Sequence, residues 1–144
     1  MIQIQLPVPH RVLSPNSRTH WGTKLKWVRE HRLLALNALK AAAPEVSAIE
    51  APAVLFVLVK TKCPDNRLRD VWDVRDRDNF HAGCKAYLDG LADSGIFGGG
   101  DAKCRSYPEI VRSPDKRHLS HVLAYIGTID EIMEEMKCQR TKDS

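Results

Sequence analysis

The sequence lacks the cysteine pattern of a zinc site or of a disulfide framework. It has four cysteines that lie far apart, with no C-x-x-C pair and no histidine pair at the spacing that would complete a zinc pattern. Cysteines spaced in this way are typical of free thiols in a reducing cytoplasm. We therefore expect four free thiols: Cys63, Cys84, Cys104 and Cys138.

Long apolar runs are also missing. Nowhere do about eighteen apolar residues follow one another, and the first ten residues contain no basic segment followed by an apolar one. We expect neither a membrane span nor a secretory signal. There is no internal repeat, and 144 residues of which 43% are hydrophobic suffice for one domain with its own core.

The charge balance permits nucleic-acid binding without requiring it. The formal net charge is only +4, but its distribution is uneven. From residue 1 to 40 the only acidic residue is Glu30, whereas Lys and Arg recur throughout this segment. A basic arm ahead of a compact acidic cluster is typical of an enzyme that holds a polyanion near metal ions.

Hydrophobic periodicity predicts the first three elements. Residues 2–6 alternate apolar and polar side chains, which predicts a strand that stops by Pro7. Residues 23–43 have apolar side chains near helical spacing and precede Pro44, which predicts a helix. The nearly unbroken apolar run at 51–59 predicts a strand that is covered on both faces at the centre of the sheet.

The second half of the chain predicts four more elements. An apolar stripe from Phe80 to Leu91 predicts one amphipathic helix, capped by Asp78 or Asn79 and ended by Gly95. Residues 105–111 and 118–126 flank a turn-like S-P-D-K and predict a hairpin, with the first strand nearer an edge and the second interior.

The last element is a short helix that begins with a capping box at Thr128–Glu131. The order β-α-β-α-β-β-α predicts an α/β (α+β) fold, a single domain with a mixed sheet and helices packed against it. We assign this domain to residues 1–138 and a polar C-terminal tail to residues 139–144.

Three aspartates form the candidate chemical site. Asp76 and Asp78 are separated by one residue, so on extended backbone they point to the same side, and Asp101 follows a glycine-rich turn that can return it beside them. Carboxylate oxygens favour Mg²⁺ or Mn²⁺ over zinc. Taken alone, the first two aspartates are ordinary loop residues, and a simple helix cap accounts for one of them. An EF-hand is excluded, because its acidic and glycine positions hold Phe80, His81 and Tyr87.

Basic residues surround these acids, which indicates that the substrate is an anion, with a phosphodiester as the obvious candidate. They are Arg67, Arg69, Arg75, Arg77, Lys85 and Lys103. The glycines at 98–100 lack the G-K-[ST] ending of a phosphate-binding loop and are interpreted as a turn. No spacing pairs a histidine with a nucleophile, so we interpret the six histidines as surface or structural residues.

The run from Asp76 to Asp101 resembles the RusA family of Holliday-junction resolvases, small endonucleases often encoded by phages and prophages. Asp76, Asp78 and Asn79 match the family's D-x-D-N, and Asp101 matches its closing acid. The helix pattern K-x-x-x-D-x-L-x-x-x-G is matched by Lys85, Asp89, Leu91 and Gly95. The family has the lysine three residues after the asparagine, whereas F-H-A-G-C intervenes here, about one helical turn more. The segment L-S-P-N-S-R-T-H-W at 13–21 is similar to the family's N-terminal loop.

The resemblance implies a Mg²⁺-dependent endonuclease, with Mn²⁺ as a substitute, that resolves four-way junctions and related branched DNA in recombination and repair. It implies metal ligation by Asp76, Asp78 and Asp101, catalysis by these three with Lys85, and a homodimer in the cytoplasm of a bacterial or phage-infected host cell. DNA contacts are expected from Asn79, from Arg18 and His20 in the N-terminal loop, and from Arg67, Arg69, Arg75, Arg77 and Lys103.

Two other functions stay open from the sequence. The longer spacing before Lys85 and the lone Asp101 are compatible with a catalytically silent protein that binds branched DNA. A structural or regulatory module that uses the cysteines to bind zinc is a third possibility.

Overall fold

The computed structural model of the chain describes residues 1–45, 47–67, 76–99 and 104–142, and for Arg67 the backbone alone. Four strands form one sheet: β1 (Ile2–Pro7), β2 (Pro52–Lys60), β3 (Arg105–Arg112) and β4 (His121–Thr128). The helices are α1 (Trp21–Ala42), α2 (Arg77–Gly83), α3 (Lys85–Asp93) and α4 (Ile129–Lys142), with 3-10 turns at Arg11–Leu13 and Pro64–Arg67. The predicted α+β fold with a mixed sheet is confirmed.

The order of strands across the sheet is β1-β4-β2-β3. β4 is antiparallel to both of its neighbours, whereas β2 and β3 are parallel and are joined by the segment that contains α2 and α3. The predictions that β2 and β4 are interior and that β3, with Pro108, lies at an edge are confirmed. An edge position suits Pro108, because proline cannot donate to a second neighbouring strand.

The predicted hairpin between the third and fourth strands is wrong, because β2 lies between β3 and β4. The connecting loop crosses the end of β2, where the N–H of Ser113 donates to the Lys60 carbonyl at 2.9 Å and that of Lys62 donates to the Asp115 carbonyl at 2.8 Å. Strands two places apart in a sheet are only about 10 Å from each other, a distance that eight connecting residues span easily.

Both faces of the sheet are covered. Val54, Phe56 and Leu58 of β2 belong to the larger core, which the sheet forms with residues of α1, α2 and α3. The alternate residues of β2, such as Leu55 and Val57, belong to a smaller core that includes residues of α4. Burial on both faces explains why this strand is apolar at nearly every position.

The helix ends follow local sequence signals in most cases. The capping box of α4 is confirmed: the backbone N–H of Thr128 donates to Glu131 Oε1 at 3.0 Å, and the N–H of Glu131 donates to Thr128 Oγ1 at 3.3 Å. α4 continues through Lys142, so the described part of the predicted tail is helical, and Gln139 within it is buried. None of the helices in the described ranges is both long and apolar enough to cross a membrane.

The single helix predicted from Phe80 to Leu91 is in fact two helices. α2 ends at Gly83 and α3 begins at Lys85, with Cys84 between them at φ −84° and ψ −2°. The N–H of Cys84 is shared between the carbonyls of Phe80 and His81, both at 3.1 Å. Gly95, at φ +84°, follows the end of α3 in the left-handed conformation expected of a helix-terminating glycine.

Candidate functional site

The acidic pair lies at the beginning of α2. Asp76 is the N-cap residue in an extended conformation, and its Oδ1 accepts a hydrogen bond of 2.8 Å from the backbone N–H of Asp78. The prediction of Asp78 or Asn79 as the cap is therefore wrong. Asp78 lies within the first helical turn, so the two acids do not alternate along extended backbone as we expected. Both side chains are exposed.

Asp78 lines a cavity of about 510 Å³ between α2, α3 and the sheet. Lys85 lines the same cavity, although it follows Asp78 by seven residues and belongs to the next helix. Phe56 and Leu88 contribute apolar wall, and Ser106 contributes a hydroxyl from β3. The cavity thus combines a carboxylate, an ammonium and a hydroxyl group on three elements of the fold.

Lys85 is the first residue of α3, and its position depends on the helix break at Cys84. Its Nζ donates to Asp89 Oδ1 at 2.9 Å, one helical turn later, while 59% of the side chain is exposed. The residues that separate Asn79 from Lys85 form the rest of α2 and the break. The extra turn is therefore accommodated as a separate short helix, and Lys85 still reaches the cavity of Asp78.

His81 and Ser106 also belong to this cavity. The Nε2 atom of His81 lies 2.8 Å from Ser106 Oγ, so the pair joins α2 to the beginning of β3. Burial lowers the pKa of His81, and the nearby Asp78 carboxylate opposes that shift. The sequence alone indicates a surface or structural role for His81. The helical spacing of three residues between Asp78 and His81 was the signal that places both on one side of α2.

Arg77 is engaged elsewhere. Its guanidinium Nη2 lies 3.2 Å from Oε2 of Glu109, a β3 carboxylate that is only 2% exposed. The other oxygen of Glu109 accepts a 2.8 Å hydrogen bond from Arg140 Nε on α4. Sequence reasoning missed Glu109, since a single acid in a strand carries no pattern. Arg77, expected to contact DNA, thus also fixes the beginning of α2 to the edge strand.

The N-terminal loop lies beside this region, because the 3-10 turn Arg11–Leu13 packs against α2. His20 is the N-cap of α1, and its Nδ1 accepts a 3.0 Å hydrogen bond from the N–H of Gly22. Arg18 is exposed in the same loop, and Asn79 is half-buried in α2. His20 therefore has a structural role at the start of α1, and its DNA contact stays a prediction.

Four predicted site residues lie outside the described residues: Arg69, Arg75, Asp101 and Lys103. The side chain of Arg67 is likewise not described. Within the described ranges, no group of three or more His, Cys, Asp or Glu side chains is arranged to hold a metal ion. The described cysteines are free thiols, two of them buried, as expected.

The donor set at the start of α2 fits a hard divalent cation. Oδ1 of Asp76 is used by the helix cap, so its second oxygen and the exposed carboxylate of Asp78 are the available ligands. Carboxylate oxygens of this kind suit Mg²⁺ or Mn²⁺, which retain several water molecules and need few protein ligands. β3, which follows the segment that contains Asp101, begins at the cavity with Ser106 as its second residue.

The chain has a relative among known proteins. The chain is 30% identical over 131 residues to an uncharacterized protein of Xylella fastidiosa, and the match covers 91% of this chain and 79% of that protein. No protein-family model matches the chain.

Proposed function

We propose that this chain, which belongs to the same family as the Xylella fastidiosa protein, is a metal-dependent endonuclease that cuts branched DNA. The substrate would be a four-way junction or a related branched structure, as for the RusA resolvases that its acidic motif resembles. The proposed reaction is hydrolysis of a phosphodiester bond, in the cytoplasm, during recombination or repair.

The observation that carries this proposal is the shared cavity of Asp78 and Lys85. In this cavity the carboxylate of Asp78 can bind a cation, and the ammonium group of Lys85 can contact the phosphate. Phosphodiester hydrolysis by a metal-dependent enzyme needs both interactions. Lys85 offsets the additional negative charge of the pentacovalent transition state. Its hydrogen bond to Asp89 keeps its side chain oriented along α3.

Asp76 and Asp78, with Asp101, would hold the metal ion. When bound, a divalent cation polarises the scissile phosphate and lowers the pKa of a coordinated water molecule. The helix cap fixes the Asp76 side chain against the backbone of Asp78, so this carboxylate is oriented before any ligand arrives. A preoriented ligand reduces the conformational entropy lost on metal binding.

The proposed assembly is a homodimer. A four-way junction has two equivalent strands to cut, and a two-fold symmetric dimer presents two active sites to them. The basic residues of the N-terminal loop, such as Arg18, would contact phosphates near the site.

The test compares cleavage of a labelled four-way junction in Mg²⁺ by the wild-type protein, Asp78→Asn and Lys85→Met. We expect Asp78→Asn to reduce cleavage to background and Lys85→Met to reduce the rate about 100-fold. Asp130→Asn is the matched control, because this exposed carboxylate lies on α4, which packs on the opposite face of the sheet. It should cut at the wild-type rate.

Binding is measured separately by gel retardation in EDTA. The Asp78→Asn protein should bind the junction as well as the wild type or more tightly, because one negative charge facing the phosphates is removed. Full cleavage by Asp78→Asn would refute the proposal. Retarded but uncut DNA with the wild-type protein, in both Mg²⁺ and Mn²⁺, would replace it with the silent branched-DNA-binding function.

A further inference from the structure

A second cavity, of about 800 Å³, lies between the end of β1, α1 and the loop that precedes β4. It shares no lining residue with the cavity of Asp78 and Lys85. Its volume falls within the range of small-molecule sites in proteins, roughly 300–1,000 Å³. Apolar side chains form much of its wall, including those of Leu6, Val8 and Leu34.

Three ring side chains build one side of this cavity. The His10 ring stacks on Trp27 with centroids 3.8 Å apart and an interplanar angle of 10°, and His31 meets the edge of Trp27 at 6.1 Å. Behind them, His31 stacks on Tyr87, whose hydroxyl donates to the Pro7 carbonyl at 2.6 Å. These contacts hold the rings in place, so this wall is already formed before any ligand binds.

His31 is held rigidly in this ring wall. The residue is 4% exposed, and its Nε2 accepts a 3.0 Å hydrogen bond from the N–H of His10. Burial lowers the pKa of His31. The Trp27 carbonyl opposes this shift. The ring is therefore fixed in the wall, and contacts to a ligand come from the other lining groups.

The other polar groups of the cavity offer both donors and acceptors. Glu30 supplies a carboxylate, and His118 and His121 supply further imidazoles. At the rim, Arg117 has a side chain that is 86% exposed, with its Nε 3.9 Å from Asp115 Oδ1. Apolar walls, mixed hydrogen-bonding groups and an arginine at the mouth match a flat heterocyclic base joined to a phosphate.

We propose that this cavity binds one nucleotide unit, with the base between the ring wall and Leu34 and the phosphate at Arg117. The unit is either a nucleotide of an unpaired DNA strand or a free nucleoside monophosphate. The inference rests on the proposed function only in taking DNA as the source of that nucleotide. Binding itself requires neither metal nor cleavage.

The experiment uses Trp27 as the probe, because its indole lies in the wall of the cavity. Its fluorescence is followed in EDTA during titration with dAMP, dTMP or a single-stranded tetranucleotide, and Trp27→Phe identifies its share of the signal. Leu34→Glu places a carboxylate in the cavity. Leu33→Glu is the matched control, because Leu33 is the neighbouring exposed leucine of α1 and does not line the cavity.

We expect Leu34→Glu to weaken binding at least tenfold and Leu33→Glu to leave the dissociation constant within about twofold, where tenfold corresponds to about 1.4 kcal/mol. His118→Glu, a second exposed lining position, should repeat the loss if Leu34→Glu folds poorly. Tighter binding of the tetranucleotide than of dAMP identifies an unpaired strand as the source, and equal binding identifies the free nucleotide.

The inference is overturned if no probe gives a saturable change up to about 1 mM, the weak end of specific affinity, or if Leu33→Glu and Leu34→Glu weaken binding equally. Its failure is separable from failure of the nuclease proposal. Asp78→Asn should bind nucleotide normally while it no longer cuts junctions, and a Leu34→Glu protein with intact Asp78 and Lys85 tests cleavage without the second cavity.

Discussion

Replacement of Gly90 by alanine should destabilise the protein, because α1 and α3 approach too closely there for a methyl group. A Cβ at position 90 would lie 2.1 Å from the Arg32 carbonyl oxygen and 3.1 Å from the Cβ of Ala35. An ordinary carbon–oxygen contact is about 3.3 Å, so the helices would have to separate by about 1 Å. The same interface holds the ion pair of Arg32 with Asp93, whose two hydrogen bonds measure 2.5 and 2.6 Å.

The magnitude follows from two opposing terms. Overpacking against rigid backbone costs about 3 kcal/mol, the upper part of the usual range. Alanine favours the helix over glycine by about 1 kcal/mol. The net loss of unfolding free energy should be about 2 kcal/mol, and the melting temperature should fall by about 6 °C for a domain of this size.

The assay is urea unfolding followed by far-ultraviolet circular dichroism. Gly22→Ala is the matched control, since its Cβ would meet only the His20 ring, at 3.1 Å, and no backbone. Disturbance of the His20 cap and the higher helix propensity of alanine, each about 1 kcal/mol, oppose each other there. That variant should stay within about 0.5 kcal/mol of the wild type. Our account of the α1–α3 contact is refuted if Gly90→Ala is as stable as the wild type or as Gly22→Ala.

Two further predictions concern carboxylates that line neither of the two cavities. Glu109→Gln should lower the unfolding free energy by about 1–3 kcal/mol, because a buried amide pairs poorly with two arginines. In the same urea assay, the exposed control Glu134→Gln should change the unfolding free energy by less than about 0.5 kcal/mol. Equal effects of the two substitutions would contradict the role of the buried Glu109 carboxylate. The pKa of Asp115 is lowered from 3.8 to about 2, first by the hydrogen bond from the N–H of Arg117 and then by His118. A carboxyl with a lowered pKa stabilises the fold above its unfolded pKa and loses this effect as the pH falls through its folded pKa. Asp115→Asn should therefore be less stable than the wild type at pH 6, and the difference should shrink between pH 3.8 and about 2. A difference that is independent of pH would show that Asp115 acts through its shape alone.

Local signals in the sequence were sufficient for most of the elements. The apolar run at 51–59 identified a strand covered on both faces, since only burial on both sides makes alternation unnecessary. The Thr128–Glu131 capping box identified the start of α4, since both of its hydrogen bonds lie within four residues. Such features depend on neighbours in the chain, so they can be read without the fold.

Pairing between distant segments could not be read in this way. β3 and β4 are close in sequence and are connected by a turn-like segment, yet β2 separates them, because the parallel partner of β3 precedes it by more than forty residues. The same holds for Glu109, whose two arginines lie on α2 and α4. No local pattern distinguishes these arrangements from a hairpin or from a surface acid.

The candidate site combines features that local sequence signals predict with features that depend on distant parts of the chain. The sequence alone placed Asp78 at a helix start and Lys85 on the single helix predicted to follow, because capping and apolar periodicity are local properties. Only the tertiary structure decided that the chain breaks at Cys84, that Lys85 nonetheless faces the cavity of Asp78, and that His81 and Ser106 join them. The physical reason is that a cavity is defined by packing α2 and α3 on the sheet, and packing depends on side chains that are far apart in the sequence.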